Sequence, residues 1–435
     1  MNATHKIKHL EGCRHLFKIE VPKDDITSLY DEVYKKIQKE TALPGFRKGK
    51  APIELLKQDY KEYAKKKVLE LAVEDSYSNA MRSAGLSPVG MPHIENVKFA
   101  EGSGLSFDAT VEAKPKVDVK NYKALKIKKK PIEVKDDDIQ KALENLRQLA
   151  AQYKTIEPRP VQEGDFILCN LEWLVDGNPI EKKEMVMLEV EKKTLTADVF
   201  GGILGSIAGE KKSISINIDK NFHRQEYVGK TGVLEVLIHQ IKQKELPALD
   251  DEFAKDLGIT NGLTVLKENL KTHLESEKKE QVRLDMQDQA IERLLKSHSF
   301  HLPQSLVEAE YKGLFDDAKE KLLSQGYSES QAKDILEKEK QPLETKFKDH
   351  AEKQVKTFFI LEDIAEKEGL NATEQEVDEL IEDLAKRQKK NDVKEFKRQL
   401  EKADKLNSLY WQLTEAKAMG FLLDNAKIEE EVHHE

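Results

Sequence analysis

The sequence predicts an α+β multidomain chain with an α+β N-terminal domain, a β-rich insertion and an irregular all-helical C-terminal domain. Length is the first ground: 435 residues exceed one compact core and suggest about three domains of roughly 150 residues. Composition is the second, since 35% charged against 38% apolar residues describes a helix-rich, heavily solvated chain. The third is a change of hydrophobic period along the chain, from mixed to strand-like near Glu163 and to helical after Leu246.

The elements follow in order. Residues 14–22 (RHLFKIEVP) alternate as a strand, and DDITSLYDEVYKKIQKE predicts a helix with an acidic N-cap and Leu29, Val33 and Ile37 on one face. After the loop GFRKGKAP, Pro52 stands where a first-turn proline is tolerated, and Ile53, Leu56 and Tyr60 begin a helical stripe that runs to a stop at Gly85. Alternation returns in HIENVKFAEGSGLSFDATVEAKP, two strands about a Gly-containing turn, which completes a domain over 1–115. Residues 116–156 form a linker with an arm helix, DDDIQKALENLRQLA, whose Ile139, Leu143, Leu146 and Ala150 share a face. Over 157–243 the short strands FILCNLEWLVDG, MVMLEV, KKSISINI and TGVLEVLIHQI are punctuated by Asp-Gly and Gly-Gly. Residues 244–435 are helical, with one stripe at Tyr311, Leu314, Phe315, Ala318 and Leu322 and another at Val377, Leu380, Ile381 and Leu384, opened by a Thr373–Glu376 capping box. A last stripe holds Leu406, Leu409, Tyr410 and Leu413, and no solenoid-type period recurs.

The formal net charge of −9 argues against a global nucleic-acid binder, but it is unevenly spread. Residues 1–115 hold 19 basic and 17 acidic residues, a balance of +2 that leaves −11 for the remainder. The sharpest basic patch runs from Leu43 to Lys67, with Arg47, Lys48, Lys50, Lys57, Lys61, Lys65, Lys66 and Lys67. The N-terminus has no apolar core of a signal peptide, and no run of about 18 apolar residues occurs, so a cytoplasmic protein without a membrane span is expected. Cys13 and Cys169 are far apart and predict reduced thiols.

The segment Gly45-Phe46-Arg47-Lys48-Gly49-Lys50-Ala51-Pro52 puts an aromatic and several cations at a loop tip between two helices, with glycines that permit sharp bends. Arg47 and Lys48 suit phosphates or acidic side chains, and Phe46 suits an apolar pocket. On the residues alone, a solvated basic turn and a docking loop both remain open.

All eight positions resemble the ribosome-docking signature of the trigger factor family. The likeness extends along the chain through FDATVEAKPKVDVKNYKAL, ELPALDDEFAKDLG and LPQSLVEAE. It implies an ATP-independent chaperone, partly ribosome-associated, that shields newly made polypeptides during folding or export. Gly45, Phe46, Arg47, Lys48, Gly49 and Lys50 would then meet an exit-site ribosomal protein and adjoining ribosomal RNA. Nascent and unfolded polypeptides are the implied partners, and a homodimer away from the ribosome is left open.

The insertion is similar to the FK506-binding-protein (FKBP) type of peptidyl-prolyl cis/trans isomerase, with a frame at Glu163-Gly164-Asp165, Val175-Asp176-Gly177, Ala208-Gly209-Glu210 and Tyr227-Val228-Gly229-Lys230. Isomerisation must lower a barrier of about 18–20 kcal/mol and needs no metal or nucleophile, only a dry, shaped pocket for a twisted amide. Where that family has aromatic walls, this chain aligns Leu171, Ile180, Met185 and Val199. Phe222 keeps its aromatic, Phe200 can substitute from an adjacent position, and Glu181 aligns with the acidic member of the pocket. These replacements lead to an expectation of weak activity.

Other patterns carry less. His9, Cys13 and His15 lack a fourth ligand and a metal-site spacing, and His433 and His434 belong to an acidic tail. Trp173 and Trp411 read as packing residues. No phosphate-cradling Gly-rich loop occurs, so neither ATP nor any other cofactor is expected. The rival readings are a free FKBP-type prolyl isomerase without ribosome docking and a basic-patch RNA binder, the latter opposed by the acidic remainder and the lack of interleaved aromatics.

Overall fold

The computed structural model describes residues 1–431 apart from 42, 43, 45, 101, 157, 158, 219–221, 223, 224, 390, 391 and 404. Gly45, His433 and His434 therefore lie outside the described residues. The chain forms two compact units, one of residues 1–130 with 283–435 and one of residues 131–282.

The first unit opens with β1 (Thr4–His9) and β2 (Arg14–Val21), followed by α1 (Lys23–Glu40), α2 (Ile53–Asp59), α3 (Lys61–Ala84), β3 (Pro88–Phe99), β4 (Leu105–Ala113) and β5 (Lys126–Lys129). The four longer strands make one sheet in the order β1-β2-β4-β3. Strict alternation buries Phe17, Ile19 and Val21 of β2 and Leu105, Phe107, Ala109 and Val111 of β4 on one face, where Ile26, Val33 and Ile37 of α1 join the same core. α3 presents Ala64, Val68, Ala72, Ser76 and Ala80 at four-residue spacing, small enough for close approach. Two local expectations change. The cap of α1 is Pro22 with no side-chain bond, so Asp24 and Asp25 sit in the first turn, where they face the positive end of the helix dipole. Pro52 is the extended cap of α2 rather than its first residue, and the stripe expected to run unbroken to Gly85 is interrupted at Tyr60.

The second unit contains α4 (Asp136–Leu149), β6 (Gln152–Thr155), β7 (Asp165–Val175), β8 (Asn178–Glu189), α5 (Ala197–Ile203), β9 (Lys211–Asn217), β10 (Thr231–Glu245) and α6 (Asp251–Asp256). It ends within the long α7 (Gly262–Ser297), whose residues from Arg283 belong to the first unit. The arm-helix stripe is used as expected: Ile139, Leu143, Leu146 and Ala150 pack with Phe253, Ala254 and Leu266. Strands run β6-β10-β7-β8, with β9 also on β10, and the expected boundaries at 157 and 243 fall inside this sheet because β6 pairs with Lys242–Glu245. Asp176 and Gly177 both take positive φ, as a two-residue hairpin turn between β7 and β8 requires. The Gly201–Gly202 pair, read as a break, lies inside α5. A Cβ on Gly202 would come within 2.6 Å of Ile214 Cγ1, so this glycine lets α5 lie close on β9.

The first unit resumes with α8 (Gln304–Ser324), α9 (Glu329–Lys338), α10 (Lys340–Glu368), α11 (Glu374–Arg387), α12 (Val393–Lys402), α13 (Leu406–Asp424) and β11 (Lys427–Glu430). Its cores join α10 to α13 through Ile360, Leu361, Ile364, Ala418 and Leu422, and α11 to α12 and α13 through Val377, Ile381, Phe396 and Leu409. The Thr373–Glu376 capping box forms, with the Thr373 N–H donating to Glu376 Oε2 at 2.7 Å. Glu112 on β4 accepts from the Ser305 N–H at 2.8 Å and its hydroxyl at 2.6 Å, which caps the start of α8. Among the described residues no helix is long and apolar enough to cross a membrane.

Candidate functional site

The loop between α1 and α2 has a fixed base and an exposed tip. α1 closes with the Thr41 N–H on the Ile37 carbonyl at 2.9 Å. At the other side Ala51 is buried, and Gln38 Nε2 donates to its carbonyl at 2.6 Å. Fully buried Leu56 then secures α2. Between these anchors the Lys50 N–H donates to the Arg47 carbonyl at 2.9 Å, and Gly49 at φ +81° supplies the left-handed residue of the turn. Phe46 is 40% exposed, and Arg47, Lys48 and Lys50 are also exposed. An aromatic and three cations thus face solvent from a backbone held on both sides, with Lys57 and Lys66 exposed on the following helices.

The insertion places its expected pocket residues unevenly. Leu171 on β7 and Val199 and Phe200 on α5 are buried in one apolar cluster with the partly buried Trp173. Phe222 lies 6.5 Å from the Trp173 ring, tilted by 47°. Glu181 is opposite Trp173 in the β7–β8 register and pairs with Lys183 at 3.2 Å, while the Lys183 ammonium lies 5.5 Å from the Trp173 ring centre. Trp173 therefore belongs with Phe222 and Glu181 as well as with the core, a role that alternation alone did not reveal. Met185, expected in the wall, is instead 60% exposed. It has φ +53°, and its N–H is held by Asn170 Oδ1 at 2.8 Å where the β7–β8 register shifts, so a bulge turns it out to solvent. Ile180 is half-buried and outside the cluster. Burial pushes the Cys169 thiol up to about 11, which leaves it unreactive.

The helical part of the first unit carries a groove of about 830 Å³, walled by Ile291, Leu295, Phe300, Leu361 and Met419 and rimmed by charged groups that include Lys353. Burial raises the Glu415 carboxyl above its usual range at the side of this groove. No sequence signal isolates the groove, because its apolar residues continue the stripes that form the core. His9 and His15 stack at 4.7 Å, and the Cys13 thiol donates to the His301 carbonyl at 3.1 Å, so these side chains make packing and backbone contacts.

A family model of the bacterial trigger factor protein matches residues 3–146, and that of the trigger factor C-terminus matches residues 262–424. The chain is 32% identical over 421 residues to the trigger factor of Carboxydothermus hydrogenoformans, covering 96% of this chain and 98% of that protein. It is 31% identical over 428 residues to the trigger factor of a Geobacillus species, covering 97% and 99%. The chain belongs to the trigger factor family. Trigger factor proteins are chaperones, and the matched stretches include both the exposed loop and the helices that wall the groove.

Proposed function

We propose that the chain is an ATP-independent, cytoplasmic chaperone that docks at the ribosomal polypeptide exit and shields newly made chains. The observation that carries this reading is the loop tip of Phe46, Arg47 and Lys48, exposed on a base clamped by Gln38 and Ala51. Anchoring at Thr41 and Ala51 lowers the conformational entropy to be lost on binding, Phe46 supplies an apolar anchor, and the two cations suit a phosphate-rich surface. Clients would lie over apolar residues such as Phe300, Leu295 and Met419, whose charged rim supports weak contacts that select no single sequence.

The sheet around Trp173 would act as a peptidyl-prolyl isomerase of low activity. Trp173 and Phe222 offer flat apolar surface beside Glu181, while aliphatic Leu171 and Val199 replace further aromatics of the isomerase pattern. The proposed division is a ribosome-binding domain to about residue 115, an arm ending with α4, an isomerase-like module whose expected limits of 157 and 243 widen to the β6–β10 pairing at Gln152 and Glu245, and the helical chaperone part beyond.

Cosedimentation with ribosomes tests the docking assignment. The wild-type chain is expected in the ribosome pellet and the Phe46→Ala, Arg47→Ala, Lys48→Ala variant in the supernatant, with unchanged circular dichroism. Equal pelleting of the two would remove the assignment, and RNA binding measured separately distinguishes docking from general attraction to phosphate.

A further inference from the structure

β5 is a four-residue strand whose neighbours differ in kind. On one side the Gln289 side-chain amide imitates a strand, accepting from the Lys128 N–H at 2.9 Å and donating to the Lys128 carbonyl at 2.8 Å. Gln289 also donates to Asp285 at 3.1 Å, and Asp285 pairs with Lys130 at 3.4 Å, so that side is held from α7. On the other side lies β11, parallel, with Lys427 beside Lys126, Ile428 beside Ile127, Glu429 beside Lys128 and Glu430 beside Lys129. Backbone bonds bound this pairing, from the Lys427 N–H to the Leu125 carbonyl at 2.8 Å and from the Glu431 N–H to the Lys129 carbonyl at 2.9 Å.

The two strands are anchored unequally. Ile127 is fully buried and fixes β5 in the unit, whereas all four residues of β11 are exposed, Ile428 by 48%. β11 is thus held mainly by backbone bonds and by the placement of glutamates beside lysines. A short parallel pair with no buried side chain on one strand belongs to the low end of local stability, so β11 can leave without opening a core. Its departure would bare the backbone groups of Leu125, Ile127 and Lys129 in a segment that carries Lys126, Lys128, Lys129 and Lys130. Such an edge accepts an extended chain by strand addition, and its charge selects an acidic one.

We propose that the β5 edge is a docking site for an extended acidic segment of another polypeptide, and that β11 is its built-in occupant. The register sets the preferred pattern, an aliphatic residue beside Ile127 followed by acidic residues beside Lys128 and Lys129. The inference is separate from the ribosome reading, since it uses none of the residues of the docking loop.

The probe is a fluorescent peptide Asn-Ala-Lys-Ile-Glu-Glu-Glu, copied from residues 425–431, with a control in which its three glutamates become lysines. Anisotropy is measured on the full chain, on Glu429→Pro, which removes the N–H directed at the Ile127 carbonyl, and on a chain ended after Asn425. Both variants are expected to bind the acidic peptide at least about tenfold more tightly than wild type, because a competing occupant has been removed. Adding Lys128→Glu and Lys129→Glu should cancel the gain, and the peptide should slow amide exchange across residues 125–129. No gain in the shortened chain would overturn the proposal. So would equal gain for the lysine peptide, or a dimer of the shortened chain that excludes peptide.

Discussion

Gln38 on α1 donates from Nε2 to the carbonyl of Ala51 at 2.6 Å, tying together the two chain segments from which the basic loop projects. Gln38→Ala should cost about 1 kcal/mol, the usual net worth of such a bond, and leave every cation in place. Ribosome affinity is expected to fall, but by less than in the triple loop variant, with an unchanged salt dependence. Cosedimentation across a salt series checks this, and wild-type affinity would mean that the loop needs no preorganisation.

Excision should follow the sheet rather than the expected boundaries. Gln152 and Glu245 are register partners, so their backbones are already adjacent and a short Gly-containing link can replace everything between them. Arg147 Nε still donates to the Pro247 carbonyl at 2.8 Å, keeping α4 beside the outgoing chain. The shortened protein is expected to remain helical and to suppress aggregation, as read by circular dichroism and light scattering of an unfolding client. A cut at 157 and 243 should be less stable, because it strands β6 and severs the end of β10.

For catalysis, Trp173→Ala and Phe222→Ala should each slow acceleration of X-Pro isomerisation, while Met185→Ala should not, since Met185 faces solvent. Leu171→Ala acts differently, costing about 2–4 kcal/mol of stability through the cavity it leaves in the core. A peptide assay beside a proline-limited refolding reaction distinguishes these effects. Equal losses for Met185→Ala and Trp173→Ala would place the pocket elsewhere.

Acid stability should report on Glu376, whose carboxyl is held down to about 2 from an ordinary 4.5 by Lys417 at 2.8 Å and by bonds from Thr373. The charged form is favoured in the folded state, so its contribution is complete above 4.5 and is lost as the pH falls toward about 2. Glu376→Gln should flatten that part of the denaturation profile. Glu415 has the opposite sign: burial raises it, so its contribution is full at low pH and lost as the pH rises. Glu415→Gln should therefore stabilise the chain at neutral pH, which urea titrations at two pH values would show.

Gly202→Ala should destabilise the insertion by about 1–3 kcal/mol, because the added carbon enters the space held by Ile214. Ile214→Ala, which removes Cγ1, Cγ2 and Cδ1, should cost less stability beside Gly202→Ala than alone, and a double-mutant cycle showing no such coupling would exclude the clash as the cause.

The sequence by itself determined the elements whose evidence is local. The alternation of Phe17, Ile19 and Val21, the face of Ile139, Leu143 and Leu146, the Asp176–Gly177 turn and the Thr373–Glu376 box each lie within a few residues, and each takes its expected form. The eight residues of the basic loop likewise marked the trigger factor family before any geometry. Only the tertiary structure decided what each buried face meets. It turned Met185 outward, because a bulge changes which side of a strand a residue occupies and periodicity does not record bulges, and it brought Phe222 from between β9 and β10 beside Trp173. It placed Gly202 inside a helix against Ile214 and joined β11 to β5 from distant parts of the chain. A short sequence window encodes the period of burial, whereas the partner is selected by packing between segments that the window never contains.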